Sequence, residues 1–183
     1  ITDAGLRELK DLHQLQTLDL SETLVSDTGA NELREFQSLR ALYLRNTRVG
    51  DAGLQHLKDL KGLMRLDLSK QQPTPRANET ESPDEGNPIT DSGLKHLKDL
   101  KSLIFLKLSG GHVTDAGVKA LKGLQNLQML ELEQTQITDQ GLKELTGLKK
   151  LTFLSVIGSK VTEEGAREFK KALPKTTIDI NRK

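Results

Sequence analysis

The sequence predicts an α/β solenoid of about seven coils, each contributing one short strand and one short helix. Three observations carry that expectation. First, a motif of Ile or Val followed by Thr-Asp-x-Gly, or a close variant, starts at Ile1, Val25, Val49, Ile89, Val113, Ile137 and Val161. The starts are 24 residues apart except for one interval of 40, and a fixed period in this range signals stacked units that bury a continuous core. Second, the apolar positions recur in register. Leu9, Leu33, Leu57, Leu97, Leu121, Leu145 and Phe169 form one column, and Leu18, Leu42, Leu66, Leu106, Leu130, Leu154 and Ile178 form another. A third column runs Leu20, Leu44, Leu68, Leu108, Leu132, Val156 and Ile180. Third, two periodicities alternate inside each unit: Leu18 and Leu20 are spaced as on one face of a strand, and Leu6 and Leu9 as on one side of a helix.

Each element has a local reason. Thr2, Ser26, Thr90, Thr114, Thr138 and Thr162 stand where a hydroxyl can cap the free amides of a helix, with Gly50 the exception. The acid that follows (Asp3, Asp27, Asp51, Asp91, Asp115, Asp139, Glu163) sits where the helix dipole favours an anion. Gly5, Gly29, Gly53, Gly93, Gly117, Gly141 and Gly165 weaken a helix, so close packing against the neighbouring coil is the expected reason for them. The last unit, 161–183, replaces leucines by Ala166, Ala172 and Lys175 and carries Pro174. It is expected to be a polar capping repeat near the C-terminal end of the array. The chain opens at Ile1 in mid-pattern, which is expected of a piece of a longer protein. The long interval is explained by an insertion, 71–86, rich in Pro, Glu and Asp and without large aliphatic residues. It is expected to be an exposed loop on the rim of one continuous domain. Its Asn78-Glu79-Thr80 triplet matches a glycosylation acceptor, a pattern common by chance.

The segments LQTLDLSET (15–23), LRALYLRNT (39–47) and LQMLELEQT (127–135) resemble the LxxLxLxxN strand segment of the leucine-rich-repeat family. The ITDAGL continuation is similar to the family's cysteine-containing subclass and to 24-residue repeats of bacterial proteins. The resemblance covers essentially the whole chain. It implies a curved solenoid with a parallel sheet on the concave side and short helices on the convex side, and protein recognition as the usual role. Thr23, Thr47, Thr135 and Ser159 replace the family's Asn or Cys, and a hydroxyl can also satisfy a turn backbone.

Composition narrows the function. Lys plus Arg is 27 and Asp plus Glu is 26, a net charge of +1, so no overall field draws the chain to nucleic acid or an acidic membrane. No apolar run approaches the ~18 residues of a membrane helix. Cysteine is absent, which removes disulfides, thiolate metal sites and a thiol nucleophile. No Ser or Thr keeps a repeat-defined relation to both a His and a carboxylate, and no phosphate loop is present. The chain is expected to be no enzyme and to need no cofactor or metal. His56 and His96 share a position in adjacent units, where the flanking repeats add only Glu32 and Ala120, too few ligands for a metal site. The convex basic columns, such as Lys58, Lys98 and Lys122, are followed in the first four units by Asp11, Glu35, Asp59 and Asp99, the pattern of a solvated helix face.

The strand residues that flank the inward leucines are more informative, because strand side chains alternate. One outward column runs Thr17, Ala41, Arg65, Phe105, Met129, Phe153, Thr177; the next runs Asp19, Tyr43, Asp67, Lys107, Glu131, Ser155, Asp179. A third holds Ser21, Arg45, Ser69, Ser109, Glu133, Ile157 and Asn181. Of five aromatics, Phe36 and Phe169 replace core leucines, and Tyr43, Phe105 and Phe153 all fall on this face. Phe105, Met129, Phe153 and the neighbouring Ile157 are therefore expected to form an apolar anchor for a protein or peptide partner. Tyr43, Arg45, Arg65, Asp67, Lys107, Glu131 and Glu133 are expected to supply the selectivity around it. A monomer in isolation is expected. The alternative is a structural spacer between other domains, and nucleic-acid binding by the convex stripe is a third, weaker reading.

Overall fold

The computed structural model describes residues 1–70, 89–110 and 112–180. The strands are β1 (Thr17–Asp19), β2 (Ala41–Tyr43), β3 (Arg65–Leu68), β4 (Phe105–Ser109), β5 (Met129–Glu133), β6 (Phe153–Ser155) and β7 (Thr177–Asp179). They form one seven-stranded sheet in simple chain order, and every neighbouring pair is parallel. The register follows the repeat: Leu42 pairs with Leu66, Leu66 with Leu106, and Leu106 with Leu130. β3 pairs directly with β4 through four residue pairs. The coils on either side of the long interval are therefore stacked neighbours. The insertion 71–86, with its Asn78 triplet, lies outside the described residues.

The helices are α1 (Asp3–Arg7), α2 (Asp27–Ala30), α3 (Asp51–Leu54), α4 (Asp91–Leu97), α5 (Asp115–Val118), α6 (Asp139–Leu145) and α7 (Glu163–Ala172). Three of them tighten into 3₁₀ turns, at Asn31–Glu35, Gln55–Leu57 and Lys119–Gly123, which suits apolar residues three apart. The leucine columns fill the space between helices and sheet: Leu33, Leu57, Leu97, Leu121 and Leu145 from one side, and Leu42, Leu66, Leu106, Leu130 and Leu154 from the other, are fully buried. The terminal coils are less complete. Leu9, Leu15, Ile178 and Ile180 are only partly buried, and Ile1 and Leu12 are exposed.

What locks one coil onto the next is a polar ladder that the dipole argument understates. Asp115 accepts from the backbone N–H of Thr138 at 2.8 Å and, through its other oxygen, from the Thr138 hydroxyl at 2.7 Å. Asp3 does the same to Ser26, Asp51 to Thr90, Asp91 to Thr114, and Asp139 to Thr162. Having donated to the preceding Asp, the hydroxyl accepts from an amide of its own helix, as Thr138 does from Gln140 N–H at 3.2 Å. The capping expectation fails at one place, and its stated exception finds another partner. Thr2 makes no cap bond. Gly50 has no hydroxyl, and Asp27 instead takes its N–H and that of Gly53 at 2.7 and 2.9 Å.

The ladder also explains the glycines. A Cβ on Gly117 would stand on the carboxylate of Asp91, and one on Gly141 on that of Asp115. From the second coil on, the glycine of each coil is the space in which the preceding coil's aspartate lies. At the other strand end, the hydroxyls of Thr23, Thr47 and Thr135 donate to the carbonyls of Leu20, Leu44 and Leu132 at 2.7–2.9 Å. The residue before each has positive φ: Glu22 (59°), Asn46 (52°) and Gln134 (56°). The threonine thus stabilises a left-handed turn at a strained, non-glycine position.

Candidate functional site

The sheet's outer face is assembled by register alone. Phe105 pairs with Met129, and Met129 with Phe153, so these side chains stand side by side on three adjacent strands, ~4.8 Å apart. Met129 is 39% exposed, and Phe105 and Phe153 flank it half-buried. Arg65, exposed on β3, adjoins Phe105. Ile157 stands apart. It lies half-buried in the turn two residues past the end of β6, with Ser155, nearly fully buried, between it and Phe153.

Beside the apolar row runs a polar one. Lys107 reaches Glu131 at 2.6 Å across β4 and β5. Burial works against the ammonium charge, but the hydrogen bond to Glu131 and the attraction of Glu131, Glu133 and Asp67 outweigh it, holding the Lys107 pKa above its ordinary value. Glu133 accepts from the Ser155 hydroxyl at 3.0 Å, and Asp67 from the Ser69 amide and hydroxyl at 2.9 and 2.6 Å. On the earlier strands, Tyr43 is half-buried and adjoins Asp67. Arg45 pairs with Glu22 at 3.0 Å. The hydroxyl and amide of Ser21 lower the pKa of Asp19. The predicted residues thus form an apolar ridge along β4–β6 and a charged band alongside it.

His56 and His96 are half-buried on adjacent helical segments, and among the described residues no three His, Cys, Asp or Glu side chains are grouped as metal ligands. Among the same residues no helix is long and apolar enough to cross a membrane.

A second surface escaped the sequence reading. Where the chain turns into the strands, a groove of ≈ 390 Å³ is lined by Arg40, Gly62, Met64, Ser102, Ile104, Asn126 and Gln128. It crosses four coils on the rim beside the sheet. The signal was present: in the column Gln16, Arg40, Met64, Ile104, Gln128, Thr152, Thr176, only the two central coils carry apolar residues.

Three segments, residues 37–58, 99–122 and 123–145, match the family model described as Leucine Rich repeat. No curated protein sequence matches the chain. Among solved structures, the internalin inlF of Listeria monocytogenes str. 4b F2365 superposes with a TM-score of 0.68 at 19% identity, covering 93% of this chain and 49% of that one. The chain thus spans about half the length of that internalin. Internalin C2 (inlC2) of the same strain gives 0.66 at 18% identity, covering 99% of this chain and 75% of that one. At such identities the likeness is one of fold. The repeat motif, the seven parallel strands in chain order and these matches agree on the fold: a leucine-rich-repeat solenoid, curved, with its sheet on the concave side and its short helices on the convex side.

Proposed function

We propose that this solenoid is a non-catalytic module that binds a protein or peptide partner through its concave sheet. Leucine-rich repeats are typically protein-interaction modules, and one observation directs that role to this face: Phe105, Met129 and Phe153 are register neighbours on β4–β6. An exposed methionine between two half-buried phenylalanines, bordered by charge, has the composition of an interface centre and its rim. Lys107, Glu131, Glu133 and Asp67, with Arg65 and Arg45 on the flank, select among partners. Ile157 serves as a separate contact beyond the polar band.

A pull-down comparing the unaltered protein with a Phe105→Ala/Phe153→Ala variant tests this reading. Capture of a partner by the former and its loss by the latter, with an unchanged unfolding curve, is the expected result. Equal capture by both removes the ridge from the interface, and failure of either to retain any partner favours a spacer role within a larger protein.

A further inference from the structure

The rim on which the groove lies has an unusual charge distribution. The segments that lead from the helices into the strands are 13–16, 37–40, 61–64, 101–104, 125–128, 149–152 and 173–176. Together they contain Arg40, Lys61, Lys101, Lys149, Lys150 and Lys175 and not one Asp or Glu. In a chain of net charge +1 this is segregation of charge to one edge. The nearest acids on the two central coils, Asp59 and Asp99, each follow a lysine (Lys58, Lys98) and leave the border cationic.

These rim cations are not taken up by ion pairs among the described residues. Arg40 donates to the Leu39 carbonyl, Lys149 to that of Thr146, and Lys150 to the Asn126 side-chain oxygen, all neutral acceptors. The Arg40 guanidinium lies over Gly62, where a Cβ would displace it. Between the cations the floor is apolar: Met64 is 38% exposed, and Ile104 stands in the next coil, its N–H bonded to the Met64 carbonyl at 2.8 Å. From Arg40 to Gln128 the groove crosses three coil spacings, ~14 Å, the length of about four extended residues.

We infer that this rim groove binds an acidic peptide segment carrying one apolar side chain at its centre. The apolar residue lies over Met64 and Ile104. Carboxylates on one side meet Arg40 and Lys61, and those on the other meet Lys101 and Lys150. A peptide fits better than a nucleic acid, because the rim segments hold no aromatic residue on which bases could stack. The site is separate from the concave ridge and stands whether or not the ridge binds its own partner.

The probe is a fluorescein-labelled short glutamate peptide with a single central leucine, followed by anisotropy. Saturable binding that falls with salt is expected, and Arg40→Glu/Lys101→Glu should weaken it about tenfold, as reversal of two exposed charges implies. Met64→Gln should weaken it without altering the salt dependence, and the Phe105→Ala/Phe153→Ala variant should bind as the unaltered protein does. Several outcomes overturn the assignment. These are absence of saturable binding at low salt, equal binding of the lysine counterpart, and indifference to replacing the central leucine by alanine. Unchanged affinity in the charge-reversed variant would do so too. Tighter binding of oligo-dT than of the peptide would make the rim a nucleic-acid edge instead.

Discussion

The two edges of each strand obey opposite rules. On the helix side, the same Asp, hydroxyl and Gly recur coil after coil, and nearly every one makes the same contact with the coil before or after it. On the outer face, no column keeps one residue type, and apolar, acidic and basic side chains follow one another without period. The repeated positions are therefore those that hold coil to coil. The positions free of that duty are free to vary, and it is among them that recognition can be built. The threonine turns belong with the first group: they hold the chain at positive φ in the first, second and fifth coils.

This contrast can be broken from the ladder side first. Asp91→Ala removes both acceptors of Thr114 and leaves a partly buried amide without its partner. Urea unfolding should show a loss of about 3 kcal/mol. Gly117→Ala should cost about 2 kcal/mol, because the new methyl meets Asp91. The double variant should lose clearly less than the sum, since removing the carboxylate vacates that space. Additive losses would mean that glycine and aspartate do not share it. A smaller effect of opposite sign tests the irregular coil. Gly50→Ser supplies the hydroxyl that the other coils use, at a residue already extended (φ −125°), and should raise stability by about 0.5–1 kcal/mol. The smallest effect lies on the face itself. Met129→Gln should leave the unfolding midpoint within about 0.5 kcal/mol of the original while weakening partner capture. A large loss of stability there would return Met129 to the structural class.

The stacking order, the leucine columns and the pairing of residues across strands could all be read from the sequence, because a fixed repeat converts position along the chain directly into register. Phe105, Met129 and Phe153 were located as neighbours for the same reason. The aspartate ladder was not legible in the same way. Asp3 and Ser26 are 23 residues apart, and local reasoning gives the carboxylate to its own helix, whereas the stacked structure gives it to the next one. Ile157 was grouped with the aromatics because its column faces the same way in an unbroken strand, but it lies in the turn past the end of β6, where strand alternation no longer sets its direction. The rim groove was missed for a different reason. Its signs are two apolar residues, Met64 and Ile104, in one otherwise polar column and the absence of acids from seven short segments, and a search for histidines, nucleophiles and aromatics registers neither.

The nesting of each aspartate in the next coil's glycine makes the length of the array an editable quantity. Because every unit before the last offers an aspartate at one face, and every unit but that of Gly50 a glycine with a hydroxyl at the other, removing or duplicating 24 residues inside the array joins a donor face to an acceptor face that already fit. A gene encoding such a chain can grow or shrink by whole units without inventing a new junction, and the outer columns lengthen with it. The reach of the binding face is then set by counting coils, while its chemistry is set separately, one substitution at a time.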